Sequence, residues 1–204
     1  MPEITSIEPQ VKDKTRCSVF IDGRFYCGIK LEVAIKYHLK SGMHIEKEEL
    51  DKIQLETEKA QAMDKALTHL SATMKTQKQM RDFLAKKGYV QAVADYVLER
   101  LNYYGYVDDE AYCRAYISGV TGKGKRAIEA QLLKRGVDKS TVERALEDIE
   151  EDGDEVLAIL KKYLRGKEIN KENLYKGCRY LVGKGYSYEA AKSACERLDE
   201  GEDY

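Results

Sequence analysis

Three groups of residues in this 204-residue chain could carry chemistry: a carboxylate run, a cluster of bases and a cluster of tyrosines. The carboxylates are Asp108-Asp109-Glu110. Adjacent acids can hold a divalent cation or share acid/base work. The same three residues, placed just after Gly105, also spell a helix start. Asp108 would be the N-cap, and Asp109 and Glu110 would sit in the first turn, where the helix dipole favours negative charge. The helix start is the stronger reading.

The bases concentrate between Arg114 and Arg144, where eight bases face three acids for a net charge of +5. Lys123, Lys125, Arg126, Lys134 and Arg135 are its candidate contact residues. An acidic stretch follows, with seven Asp and Glu between Glu147 and Glu155 and no base. A basic stripe can track phosphates or an acidic protein surface. It can equally be a solvated helix face, and Arg135 beside Gly136 can complement a helix C-terminus. The tyrosines are Tyr103, Tyr104, Tyr106, Tyr112 and Tyr116. They could stack on bases, but rings at helical spacing read first as packing between the first two repeats described below.

Other chemistries find little support. Gly122-Lys123-Gly124-Lys125-Arg126 lacks the spacing of a phosphate-binding loop and follows no strand. His38, His44 and His69 and the five scattered Cys make no metal-ligand spacing, so no metal or other cofactor is expected. The odd cysteine count, without a C-x-x-C pair, suits reduced thiols in the cytoplasm. No apolar run approaches the roughly 20 residues that span a bilayer, and no secretory leader is visible. Lys+Arg number 35 and Asp+Glu 36, so bulk charge gives no argument for nucleic acid. Such features point to a binding protein rather than an enzyme.

The elements that position these residues follow from punctuation. Both prolines lie at the N-terminus, Pro2 and Pro9, so nothing beyond residue 10 forbids helix. Cys17, Val19 and Ile21 alternate onto one face, Asp22-Gly23 is a hairpin signal, and Phe25–Ile29 is a second apolar run. Leu31 to His38 follow helical spacing, with Ser41-Gly42 as the expected stop. Residues 1–45 therefore read as a β-hairpin or three-strand piece with one helix, and 46–56 as a helical connector. The rest repeats. Gly88, Gly136 and Gly185 lie 48 and 49 residues apart. Each is preceded by a base and, four residues earlier, by a leucine: Leu84, Leu132 and Leu181. Leu101, Ile149 and Leu198 recur thirteen residues after the glycines, and Met63/Leu67, Ala111/Ala115 and Leu160/Leu164 recur before them. Each copy reads as three helices, with the glycine ending the second. The boundaries fall at 57–105, 106–150 and 151–204, the last including a C-terminal tail. Short helices bury little alone, so stacked units must share cores.

The segment Gly105-Tyr106-Val107-Asp108-Asp109-Glu110-Ala111-Tyr112-Cys113-Arg114-Ala115-Tyr116 resembles the signature of the RecX family of bacterial regulatory proteins. Gly122 to Ile128, Leu132 to Val137 and Arg81 to Tyr89 are similar to its second-helix patterns. The likeness runs from about Thr57 to Leu198, and the N-terminal piece resembles an extension carried by some members. The resemblance implies a mainly α fold of three tandem three-helix repeats in a curved, elongated body. It also implies a partner, the RecA recombinase and its filament on DNA, whose ATPase and strand exchange such proteins restrain in recombination and repair. The alternatives are a direct DNA-binding protein using helix-turn-helix-like units, or a helical scaffold for another partner.

Overall fold

The computed structural model describes residues 2–11 and 13–201; the tail beyond 201 lies outside them. Strands β1 (Ile4–Pro9), β2 (Arg16–Ile21) and β3 (Arg24–Lys30) form an antiparallel sheet in the order β1-β2-β3. Asp22 and Gly23 both take positive φ (49° and 75°) and close the β2–β3 hairpin in the primed-turn conformation that matches strand twist. Cys17 and Val19 are buried and Ile21 is half-buried on the face that the alternation predicts.

Helix α1 (Leu31–Lys36) stops earlier than the Ser41-Gly42 signal suggests. His38 takes the left-handed conformation (φ 50°), and the Leu39 amide reaches back to the Ala34 carbonyl at 2.9 Å. Together these close the helix end. Gly42 (φ 83°) instead turns the chain along β1, where the Gly42 amide donates to the Ile4 carbonyl and the Ile4 amide to that of Met43.

Helix α2 (Lys47–Leu70) runs unbroken through the connector into the first repeat. Its early turns bury Ile53 with Ile4, Val19 and Ile29 of the sheet; its later turns bury Ala62 and Ala66 with the first helical core. This double use explains how so small a sheet is stabilised. Helices α3 (Gln77–Lys86) and α4 (Gln91–Tyr103) follow, then α5 (Asp109–Gly119), α6 (Lys125–Lys134) and α7 (Lys139–Leu146), then α8 (Gly153–Leu164), α9 (Lys171–Gly183) and α10 (Tyr188–Asp199). The protein is mainly α, with three successive three-helix repeats and no strand after β3 among the described residues.

The chain divides into two compact units. One comprises residues up to Met74 together with Met80–Val107; the other comprises Lys75–Gln79 and the residues from Asp108 onward. In each repeat the aligned glycine ends the middle helix at positive φ: Gly88 at 87°, Gly136 at 82° and Gly185 at 92°. Leu84, Leu132 and Leu181 are fully buried at equivalent places, as is Leu101. Ile149 and Leu198 pack half-buried on their own cores. The first helices slide in register. Ala62 and Ala66 are buried where Met63 and Leu67 are expected, and Tyr112 where Ala111 is. The loop at 120–124 is one residue shorter than those at 71–76 and 165–170, and α9, at 13 residues, is three longer than α3 and α6, so the offset from the glycine varies; Leu160 and Leu164 are buried where expected. Gly177 takes the place of Ile128, and Leu160 fills the space that a side chain there would need.

Leu132→Ala should cost about 2–5 kcal/mol of unfolding free energy, as for a leucine deleted from a closed core. Leu133→Ala, on the exposed side of the same turn, should change the denaturation midpoint far less. Equal effects in chemical denaturation would contradict the shared register.

Candidate functional site

The basic surface is built on a joint that recurs inside the second unit. At each joint the N-terminus of one repeat's middle helix seats on the glycine turn of the next repeat. Thr76 makes the first. Its Oγ1 accepts from the Gln79 amide, and Gln79 Oε1 accepts from the Thr76 amide, both at 3.1 Å. This is a reciprocal helix cap. The same hydroxyl donates to the Arg135 carbonyl at 2.7 Å, and Thr76 is fully buried. The Asp109 carboxylate accepts from the Gln77 amide at 2.9 Å, and burial raises its pKa above the usual carboxylate value.

Gly124 makes the second joint. Its amide donates to the Lys184 carbonyl and the Arg126 amide to the Gly185 carbonyl, each at 3.1 Å. A Cβ on Gly124 would collide with the Gly185 backbone, and one on Gly185 with Ala127, so two glycines permit the approach. Glu151 ties the contact. Its carboxylate accepts from the Ser187 amide (2.9 Å) and hydroxyl (2.7 Å), and from the Lys125 amide (3.3 Å). Ser187 in turn caps α10 through the Ala190 amide.

The five candidate bases separate on this frame. Lys123, Arg126 and Lys134 have exposed side chains. Arg126 and Lys134 share an α6 face with exposed Ala130 and Leu133, at helical spacings of four, seven and eight. Lys125 and Arg135 are half-buried and engaged. Lys125 Nζ reaches the Ile149 carbonyl at 3.5 Å. Arg135 Nη1 donates to the Tyr112 hydroxyl at 2.6 Å, and the guanidinium lies 4.7 Å from the Tyr116 ring centroid. Arg114 and Arg144 both pair with Glu110, and Lys139 with Glu143. Five of the eight bases therefore have partners, and Glu110 is the one partner acid not already counted in the +5.

The carboxylate run is a helix start: Asp108 accepts from the Glu110 and Ala111 amides at 2.8 and 3.0 Å. The tyrosine cluster needs correction. Tyr112 and Tyr116 pack in the second repeat, but Tyr103, Tyr104 and Tyr106 are 79%, 54% and 60% exposed. Leu101 and Val107 take the buried places on either side of the Gly105 turn, which leaves the rings outside. Arg100 lies over Tyr103 and Tyr104 and donates to the Tyr104 hydroxyl at 2.7 Å. Burial pushes the Cys27 and Cys195 thiols up to about 11, so neither supplies a thiolate at neutral pH. Sequence reasoning missed Thr76 and Glu151. The T-x-x-Q spacing of Thr76 and Gln79 was a readable signal; Glu151 had none.

Three-helix repeats whose middle helices each end at a glycine turn define a helical-repeat protein. The sequence matches the RecX N-terminal domain over residues 2–46, the first RecX three-helix domain over 62–101 and the second over 108–146. Regulatory protein RecX of Clostridium perfringens (strain SM101) is 31% identical over 209 residues, covering 99% of each chain. That of Bacillus subtilis (strain 168) is 29% identical, covering 98% of this chain and 78% of its own. A crystal structure of regulatory protein RecX superposes with a TM-score of 0.78 at 22% identity, over 96% of this chain and all of that one. RecX from Lactobacillus salivarius gives 0.66 at 21% identity, over 70% and 97%. The chain belongs to the RecX family of regulatory proteins. No helix among the described residues is long and apolar enough to cross a membrane.

Glu151→Ala removes the shared acceptor at the second joint. It should lower stability by roughly 1–2 kcal/mol, the scale of a partly exposed charge-assisted hydrogen-bond set. Thermal melting should fall by a few degrees, and an unchanged midpoint would show that the joint carries little energy.

Proposed function

We propose that this chain regulates the RecA recombinase by binding it and its filament on DNA, restraining ATP hydrolysis and strand exchange without chemistry of its own. The observation that carries the reading is the α6 face, where Arg126 and Lys134 stand about 12 Å apart on a helix fixed at both ends. Lys123 extends the charge at the approach to α6. Lys125 and Arg135 belong to the same surface but act mainly through the scaffold, one at the Glu151 joint and the other against Tyr112 and Tyr116. A rigid array of cations is suited to a partner that repeats its own acidic or phosphate groups. Family membership supports the regulatory role, and the resemblance of the Gly105–Tyr116 segment supplies RecA as the partner.

RecA ATPase on single-stranded DNA, titrated with the chain, tests this directly. Added protein should lower the rate in a saturable way. Replacing Lys123, Arg126 and Lys134 together by Gln should leave helical content and melting nearly unchanged, because exposed charges contribute little to folding. The same variant should inhibit more weakly, with less dependence on salt. Equal inhibition by variant and wild type across salt would move the contact surface elsewhere. No effect of the wild-type chain would refute the role.

A further inference from the structure

Within the first unit, helices α1, α2 and α4 line a groove of about 550 Å³. Its floor is one face of α2, where Ala60, Met63 and Leu67 recur at spacings of three and four and are left partly uncovered. Val33 of α1 and Tyr96 of α4 also line it, and the exposed Tyr104 and Tyr106 belong to the same wall as Tyr96. The polar groups of the groove form a chain. Lys36 Nζ donates to Glu56 Oε2 at 2.7 Å, and Lys59 Nζ to Glu56 Oε1 at 3.2 Å. The hydrogen bond from Lys36 holds the Glu56 carboxyl below its usual value, so it stays ionised at neutral pH. The Lys59 ammonium also lies 4.5 Å from the Tyr96 ring centroid. Two half-buried or exposed ammonium groups thus share one carboxylate. Arg100 adds a third cation, engaged with the neutral Tyr104 hydroxyl. The second acid of the lining, Glu32, is exposed and lies 4.0 Å from Lys30. Three cations against two acids leave the lining with a net charge of +1.

We propose that this groove binds a small aromatic carboxylate, with its ring on the Ala60–Met63 floor and its carboxylate on the Lys59 ammonium. The volume is that of a small-molecule site, an apolar bed with a few convergent polar groups. The single excess positive charge matches one anionic group. The tyrosine rings and the Met63 thioether favour an aromatic body over an alkyl one, because ring edges and sulfur both gain from contact with a π-system. Lys59 can make the exchange at low cost: its ammonium sits on a flexible stem, and Glu56 keeps Lys36 as a partner when Lys59 turns to the ligand. Lys59 is half-buried, so its hydrogen bond to a carboxylate is less weakened by water than one on an open surface. The site uses none of the α6 bases and does not depend on the reading of RecA as partner.

Titration calorimetry on the full chain with naphthoate, and with naphthylmethanol and decanoate for comparison, tests it. Naphthoate should bind saturably at one site per chain. Naphthylmethanol, which keeps the ring and lacks the charge, should bind about tenfold more weakly, the scale of one charge-assisted hydrogen bond. Decanoate, which keeps the charge and lacks the ring, should also bind more weakly than naphthoate. Lys59→Met retains the stem and leaves Glu56 paired with Lys36; it should weaken naphthoate about tenfold and leave naphthylmethanol unchanged. Ala60→Phe fills the floor and should abolish binding of both. Circular dichroism establishes that each variant folds, and the Lys59→Met comparison decides the matter without the Ala60 variant. Any one of four results would overturn the proposal: no saturable binding of naphthoate, equal affinity for naphthoate and naphthylmethanol, equal affinity for naphthoate and decanoate, or naphthoate binding by Lys59→Met as tight as by the wild-type chain.

Discussion

The close approach of a helix N-terminus to a glycine turn is the contact on which the second unit depends. A helix start leaves amides without intrahelical partners, and a helix end leaves carbonyls likewise. Here one element supplies the other: the Gly124 and Arg126 amides of α6 meet the Lys184 and Gly185 carbonyls that end α9. The approach is possible because neither Gly124 nor Gly185 carries a Cβ, and Gly185 already sits at a φ that other residues resist. Thr76 solves the same problem at the neighbouring joint with a hydroxyl, donating to the Arg135 carbonyl while capping α3. Polar groups that would be orphaned in isolated repeats become the links between them, and the apolar cores then need only close within each repeat.

That constraint also sorts the charges. By sequence the central repeat holds eight bases between Arg114 and Arg144, yet the joints and local pairs engage several of them. The Lys125 ammonium reaches the Ile149 carbonyl, Arg135 packs over Tyr116, and Arg114 and Arg144 share Glu110. What stands clear on α6 is a sparser face than the sequence implies. In the third repeat bases are engaged as well: Lys176 pairs with Glu172, and Lys167 and Lys184 lie over Tyr163 and Tyr180. Between Lys161 and Lys184 the two acids, Glu168 and Glu172, lie close together, and the bases spread over two helices around a stacked tyrosine pair.

The repeat, its three turn glycines and the buried leucines were legible because they rest on local rules. Positive φ selects glycine, and a leucine one turn back must face the core. The Asp108 cap and the Asp22-Gly23 hairpin were legible for the same reason. The α1 stop was not, since His38 adopts a left-handed conformation that residue preference assigns first to Gly42. The exposure of Tyr103, Tyr104 and Tyr106 depends on which residues around the Gly105 turn claim the core, and Leu101 and Val107 claim it. Glu151 was invisible because its partners, Ser187 and Lys125, lie far from it in sequence. The bases of the surface could be named from sequence, but which remain exposed is a tertiary property.

Amide hydrogen exchange at Gly124 and Arg126 tests the joint most directly. Both lie at the start of α6, where an isolated helix would leave its amides open to solvent. If the turn carbonyls of α9 hold them, they should exchange as slowly as amides in the α9 core, in step with unfolding of the third repeat. Exchange as fast as that at the exposed residues Thr121 and Lys123 would contradict the joint, and with it the rigid placement of the α6 face.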